Sequence, residues 1–519
     1  MSAELRTPGV ASWLVDEHHV AWRALLVLLA ALGVSPLLWS AYVPVADLAE
    51  HAAVIATLRH WSDASYGFRS FYELDLGRTQ YLLLYIGGVA LDYATGSAEN
   101  ALRAWWVLTG CCLPLALQAF FRELRLDPRL ALFSIPLFWS KPTLVGLFSY
   151  VGALPLCFFA LALVAREARA PRPRRQIALA LLAVAVFYLH LSALILLVGG
   201  AAAVTACLSR ERRRASLRLL LWLAPAGLLG LAWALRSPVF DPGSVAFDVE
   251  FSAGFRTPIE ALRRLPRALT NVWRNSVDLV LLGQLFAAMA LLALPGPQRV
   301  APESDDARRG RRAVRLVFAG ALLLYFVMPE TLGWLWMLDE RYAPVAAMLL
   351  PATLAPGSRP WQRWLPHVCA ASVALATTGW ISCEFLHFSR EAAGFHELID
   401  RMPARKRVLM LLFDEHSATM RYFPYHHFGA FYRARKGGIV EHAFVELPQS
   451  PLRYRPEAAP PRRPYGAEWN PLAVDNATQA AFFDYLLVRG DSAGVPHGPP
   501  GPIWRRVDAA GAWSLFARE

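Results

Sequence analysis

Apolar runs long enough to cross a bilayer recur along this chain from Ala24 to Phe385 and then stop. Such runs restrict the fold severely. In hydrocarbon every backbone N–H and C=O must be satisfied within the chain, which leaves helices for long continuous runs. Composition agrees: 56% of the 519 residues are hydrophobic and only 18% are charged, and the mean hydropathy of +0.34 exceeds what soluble cores require. After His387 the chain reverts to a mixed composition rich in Pro, Arg and Tyr. The sequence therefore predicts an α-helical polytopic membrane protein of about eleven transmembrane helices plus juxtamembrane helices, followed by a C-terminal soluble α/β domain.

Charge sets the topology. The arginine clusters Arg166 to Arg175, Arg210 to Arg214 and Arg308 to Arg312 are placed in the cytoplasm by the positive-inside rule. Between the first two lie two short helices that turn near His190. The segment Tyr81 to Thr95, interrupted by Gly87 and Gly88, is too short for an upright span and is read as juxtamembrane or re-entrant. The spans expected are Ala24–Ser40, Leu102–Phe121, Leu130–Ser140, Tyr150–Ala165, Ile177–His190, Leu191–Cys207, Leu217–Leu235, Val277–Leu294, Val314–Met328, Tyr342–Ala355 and Leu365–Phe385. This puts residues 1–23 in the cytoplasm, a transmembrane domain at 24–385 with its first outer loop at 41–100, and an extracytoplasmic domain at 386–519. The expected location is the inner (plasma) membrane, multi-pass.

The net charge of +12 does not indicate nucleic acid, because the basic residues sit in short clusters between apolar runs and form no continuous patch. The six cysteines lie in or beside apolar runs without metal-site spacing and are expected to be free thiols.

The first outer loop opens with Tyr42-Val-Pro-Val-Ala-Asp-Leu-Ala-Glu-His51, and an apolar helical pattern follows. Asp47 and His51 are four apart, a spacing that brings both to one helix face, where an imidazole can orient a carboxylate to accept a hydroxyl proton. Asp47 with Glu50 three residues on equally fits an N-cap with a capping box, which needs no chemistry.

One anchor helix, a large outer loop opening on an acid and a histidine, many short spans and a soluble outer domain together form an organisation that resembles the GT-C superfamily of integral membrane glycosyltransferases. Its local carriers are Asp47-x-x-x-His51, Gly146-Leu-Phe-Ser-Tyr-Val-Gly152 entering a span, Tyr188-Leu-His190 at a turn and Arg341-Tyr342 opening a late span. The resemblance implies a polyprenyl-phosphate-linked sugar donor, a lipid, glycan or protein acceptor outside the membrane, and Asp47 as catalytic base. The chain departs from the pattern in having a single Asp in the first loop, and Lys141, Ser149 and Tyr150 where a second acidic motif is expected. A divalent metal ion is the one cofactor the resemblance admits, and no residues are nominated to hold it.

Sugar transfer from a polyprenyl phosphate needs a base at the acceptor hydroxyl and positive charge at the departing phosphate, where negative charge grows in the transition state. Asp47 is the expected base, His51 its orienter and Arg341 the phosphate clamp. Lys141, His190, Tyr150 and Glu50 complete the expected substrate-binding set. Three of these have a plain structural alternative: Arg341 pairing with Asp339 or Glu340, Lys141 anchoring at the interface, His190 as a satisfied turn residue. Two rival functions are a transporter or flippase for a lipid-linked substrate and a non-catalytic GT-C-like envelope protein.

In the soluble part, Arg407–Phe413, Tyr485–Val488 and Trp513–Phe516 read as strands. The aromatic and His segment Tyr422–Tyr432 is assigned to packing or an interface, and the Pro-rich stretch Pro448–Pro471 to an extended covering loop. Within the loop Arg236 to Asn275, Pro258 to Leu269 reads as a basic amphipathic helix at the membrane surface.

Overall fold

A computed structural model of the chain describes residues 20–236, 252–270, 272–295, 304–355, 357, 359–441, 443–464, 466–495 and 500–519. The N-terminal nineteen residues, and most of the loop before Ser252, lie outside the described residues.

Among the described residues, six helices are long and apolar enough to cross a membrane: Val20–Trp39, Ala98–Glu123, Phe148–Arg169, Leu191–Leu208, Arg213–Arg236 and Leu365–Glu391. Shorter apolar helices, Leu82–Thr95, Val277–Ala293 and Tyr342–Thr353, stand with them, as does Asp305–Val327, whose first turns carry charge. The apolar runs thus become helices, and many large apolar side chains on their outer faces stay exposed, as lipid-facing surfaces do.

One expected span is not a regular helix. Leu130–Ser140 falls in a 3-10 segment, Pro128–Phe133, followed by the four-residue helix Ser134–Leu137. Pro136 blocks continuation, and the segment is too short to cross upright. Near its start Asp127 lies 3.4 Å from His367, on the side where Glu123 pairs with Arg166; at its far end, past the short helix Lys141–Val145, Val145 O accepts from Asp47 N–H. Nearly every residue between is buried in protein, the one setting in which irregular backbone is tolerated at membrane depth.

The arginine-rich ends serve the helices. Arg311 and Arg315 donate to the carbonyls of Ala352 and Thr353 at the C-terminus of Tyr342–Thr353, satisfying acceptors that a helix end leaves open. The amphipathic helix Pro258–Leu269 is present and starts on a capping box between Thr257 and Glu260.

The C-terminal part is an α/β domain. Its five-stranded sheet has the spatial order Ile439–Val440, Arg407–Leu412, Tyr485–Arg489, Trp513–Arg518, Trp504–Ala510, the first three parallel and the rest antiparallel. The three expected strands are there. The Pro-rich stretch is more than a cover: its strand Leu452–Tyr454 pairs with Tyr72–Leu74 of the first loop. The aromatic segment packs inward, with Phe428 stacked on Trp513 at 5.9 Å and Tyr425 against Phe388.

Candidate active site

The first loop folds into the helix Leu48–Arg59, with Asp47 at its N-cap. Asp47 does not cap: its side chain makes no bond to the helix N-terminus. The capping-box reading fails for a second reason. Glu50 reaches away from the helix, where its Oε2 accepts from Arg433 at 3.0 Å and from Phe444 N–H at 2.8 Å. Glu50 and Arg433 are both 0% exposed, so Glu50 docks the soluble domain on the first loop.

Asp47 is pinned by backbone. Its N–H donates to Val145 O at 3.2 Å, and Gly146, at φ +110°, closes against it so tightly that a Cβ there would stand 2.9 Å from Asp47 Cβ. The glycine supplies both a left-handed conformation and room. The carboxyl keeps some accessible surface but is withdrawn from bulk water. Burial raises its pKa to about 7, Glu50 adding to the rise while His427 and Arg341 oppose it.

His51 does not orient Asp47. Its Nδ1 lies 3.2 Å from Tyr85 Oη, and its ring packs among Tyr85, Phe148 and Phe444. Burial lowers its pKa to about 3, so it is neutral. Asp47 is the last residue before the helix, and the i, i+4 geometry of a helix interior does not carry over to its side chain. His427, from the aromatic segment of the soluble domain, lies within electrostatic reach of Asp47.

Arg341, His190 and Tyr150 do come together. Arg341 Nη1 lies 3.3 Å from His190 Nε2 and donates to Ser192 Oγ at 3.2 Å, while Nη2 donates to Trp336 O. Tyr150 Oη donates to Arg341 O at 2.7 Å, and Tyr81 stacks on His190 at 5.5 Å. The anticipated ion pairs of Arg341 are absent because its neighbours are taken. Asp339 pairs with Arg256 at 2.5 Å, and Glu340 with Lys141 at 2.5 Å and Arg256 at 3.0 Å. No carboxylate reaches Arg341 within salt-bridge distance among the described residues, and its buried Nε has no hydrogen-bond partner.

That arrangement asks for an anion. His190 is the N-cap of Leu191–Leu208, and its Nδ1 accepts from Ser192 N–H at 3.0 Å. A neutral imidazole then carries its proton on Nε2 and presents a second donor toward the Arg341 guanidinium. Two donors facing each other in a buried place are satisfied by an acceptor between them, such as a phosphate oxygen. Lys141 is different: Glu340 neutralises it and it lies over the Tyr422 ring. A cavity of about 390 Å³ opens beside Tyr188, lined by Arg78, Trp233, Arg236 and Arg453 among others, a size that suits a small headgroup.

Among the described residues no three His, Cys, Asp or Glu side chains converge as metal ligands, so the divalent ion admitted from the sequence has no donor set there. Sequence reasoning missed His427, Arg433 and Arg256. The cluster of aromatics and adjacent histidines at 422–432 was the one signal pointing to the first of these.

The apolar helices define a multi-pass membrane protein, and its fold is shared with solved structures. The chain is similar along its length to the crystal structure of ArnT from Cupriavidus metallidurans bound to undecaprenyl phosphate, at TM-score 0.55 and 11% identity, over 96% of this chain and 97% of that one. The apo ArnT structure from the same organism gives TM-score 0.50 and 11% identity, over 96% and 98%. No protein-family model and no curated protein matches the sequence.

Proposed function

We propose that the protein is a membrane glycosyltransferase that moves a sugar from a polyprenyl-phosphate donor to an acceptor outside the cytoplasm. The observation that carries the reading is Arg341, a buried guanidinium without a carboxylate partner among the described residues, ringed by Tyr81, Tyr150, Ser192 and His190 and within electrostatic reach of Asp47. A buried cation is costly unless an anion completes it. The neighbouring ArnT structure holds undecaprenyl phosphate, a ligand of that chemistry.

In this reading Arg341 and His190 hold the phosphate, stabilising charge on the leaving oxygen. Asp47, ionised above its raised pKa, takes the acceptor hydroxyl proton. The hydroxyl oxygen bonds to the anomeric carbon as the bond from that carbon to the phosphate oxygen breaks, and polyprenyl phosphate leaves. The N-terminus is cytoplasmic, and the first loop and soluble domain are extracytoplasmic. A transporter would use ionisable groups near the midplane of several helices; here they gather around the first loop. The test is binding of undecaprenyl phosphate by purified protein, together with label transfer from a panel of undecaprenyl-phosphate hexoses and pentoses in membranes. Wild type is expected to bind and transfer, and Asp47→Asn to bind without transferring. Full transfer by a stable Asp47→Asn overturns the role of Asp47, and loss-free binding by Arg341→Ala overturns the phosphate site.

A further inference from the structure

The cavity of about 390 Å³ beside Tyr188 has no lining residue in common with the hydrogen-bond partners of Arg341. It is a separate place. Three arginines line it from three parts of the chain: Arg78 in the turn after strand Tyr72–Leu74, Arg236 at the end of helix Arg212–Arg236, and Arg453 on strand Leu452–Tyr454. Phe187, Leu229 and Trp233 add apolar wall.

Backbone bonds hold these pieces together. Trp233 Nε1–H donates to Arg78 O at 2.8 Å, which fastens the first loop to the helix. Asp75 N–H donates to Pro451 O at 2.8 Å, and Arg453 stands opposite Glu73 in the strand pair. The arginine side chains are therefore not what builds the cavity.

Their charge is unbalanced. Asp75, the one acid in the lining, pairs with Arg453. Among the described residues Arg78 and Arg236 pair with no carboxylate, so three arginines against one acid leave two positive charges uncompensated. Arg78 is half-buried, and its buried Nε has no hydrogen-bond partner. Burial and the neighbouring Arg453 lower its pKa, and Asp75 opposes them. Like charges gathered in a partly dry place repel unless an anion lies among them.

The surroundings name the carrier of that anion. Helix Arg213–Arg236 is of spanning length and little of it is buried in protein. Leu228, Leu231 and Leu235 stay exposed along it, so lipid runs beside the helix up to the cavity at its end. An apolar wall next to arginines matches a molecule that is greasy on one side and anionic on the other.

We propose that this cavity binds the phosphate-bearing headgroup of an anionic phospholipid from the surrounding leaflet, with Arg78 and Arg236 as its ligands. Guanidinium groups take phosphate oxygens through paired N–H donors. The bound lipid bridges the first loop and a membrane helix, and it does so independently of the reading of Asp47 and Arg341.

The test titrates the full chain in detergent with phosphatidylglycerol, phosphatidylcholine and inorganic phosphate, read by native mass spectrometry and thermal unfolding. Phosphatidylglycerol is expected to bind and to raise the unfolding temperature, as any ligand of the folded state does. Phosphatidylcholine, whose choline cancels the phosphate charge, and inorganic phosphate are expected to do neither. Arg78→Gln and Arg236→Gln should each weaken phosphatidylglycerol binding at least about tenfold, roughly one charge-assisted hydrogen bond. Both changes leave the Trp233 and Asp75 bonds in place, and unchanged unfolding temperatures without lipid are expected. Equal binding of the two phospholipids, or wild-type affinity in both variants, overturns the proposal. Inorganic phosphate bound through Arg78 as tightly as the lipid overturns the lipid assignment. Undecaprenyl phosphate is titrated in parallel: if Arg78→Gln and Arg236→Gln lose it while keeping phosphatidylglycerol, the cavity belongs to the donor and the proposal falls. Loss of undecaprenyl phosphate in Arg341→Ala alone supports two separate sites.

Discussion

Arg433 and Glu50 meet at 3.0 Å with neither side chain exposed, one on the helix Ala430–Lys436 of the soluble domain and the other on the first-loop helix. The pair ties the two parts of the molecule at the place where Asp47 is held. Breaking one member leaves an uncompensated buried charge, a loss of about 3–5 kcal/mol. Glu50→Ala is expected to lower the unfolding temperature and expose residues 386–519 to limited proteolysis. The double variant Glu50→Leu with Arg433→Met, which removes both charges, is expected to recover part of that loss. Wild-type protease resistance in Glu50→Ala would show that the pair does not join the domains.

Gly146 offers a local test of the base. Alanine there meets a left-handed φ and puts a methyl 2.9 Å from Asp47 Cβ, which displaces the carboxylate by a fraction of an ångström or more. Misplacement on the scale of 1 Å costs roughly 100-fold in rate. Gly146→Ala is expected to keep its affinity for undecaprenyl phosphate while transfer falls by about that factor, checked by parallel binding and label-transfer assays.

The two buried cations should separate cleanly. Arg341→Lys keeps the charge but loses the planar fork, and its affinity for undecaprenyl phosphate is expected to fall at least about tenfold, roughly one charge-assisted hydrogen bond. Lys141→Met leaves Glu340 still paired with Arg256 and is expected to change thermal stability more than affinity. Native mass spectrometry and thermal unfolding on the same preparations distinguish the outcomes; equal loss of affinity in both variants would contradict the division of charge described above.

Asp47 ties activity and stability to pH in opposite senses. The base acts ionised, so transfer is expected to rise with pH through about 7. Its folded pKa lies above the ordinary 3.8, so the folded state binds the proton more tightly than the unfolded chain. The stabilisation is complete below about pH 4 and is lost as pH rises through about 7. Asp47→Asn, which cannot ionise, is expected to unfold at a higher temperature than wild type at pH 8, with a smaller gap at pH 5. Calorimetry or a thiol-reactive thermal assay at the two pH values measures the difference.

What could be read from the sequence was what depends on neighbours in sequence. Helix Leu365–Glu391 sits where its apolar run lay, and Arg407–Leu412, Tyr485–Arg489 and Trp513–Arg518 form strands because each is short and rich in large apolar residues. Short strand Ile439–Val440 and the polar edge strand Trp504–Ala510 carry no comparable pattern. Arg341, His190 and Tyr150 were nominated singly and meet in space. What the sequence did not show at the site concerns partnership. His51 turned to Tyr85, 34 residues on, while Glu50 turned to Arg433 and Lys141 to Glu340, 383 and 199 residues away; such choices depend on residues distant in sequence or on a loop such as that of Arg256, whose claim on Asp339 frees Arg341. The broken crossing at Pro128–Leu137 escaped for a related reason: an apolar run reports that a segment is dry, not that it is regular.

The antiparallel pairing of Tyr72–Leu74 with Leu452–Tyr454 bears on how the gene can be rearranged. A chimera that exchanges only the tail between relatives would splice a foreign ribbon against a native loop, with mismatched edges. Exchange of both segments as a unit should yield hybrids that still assemble.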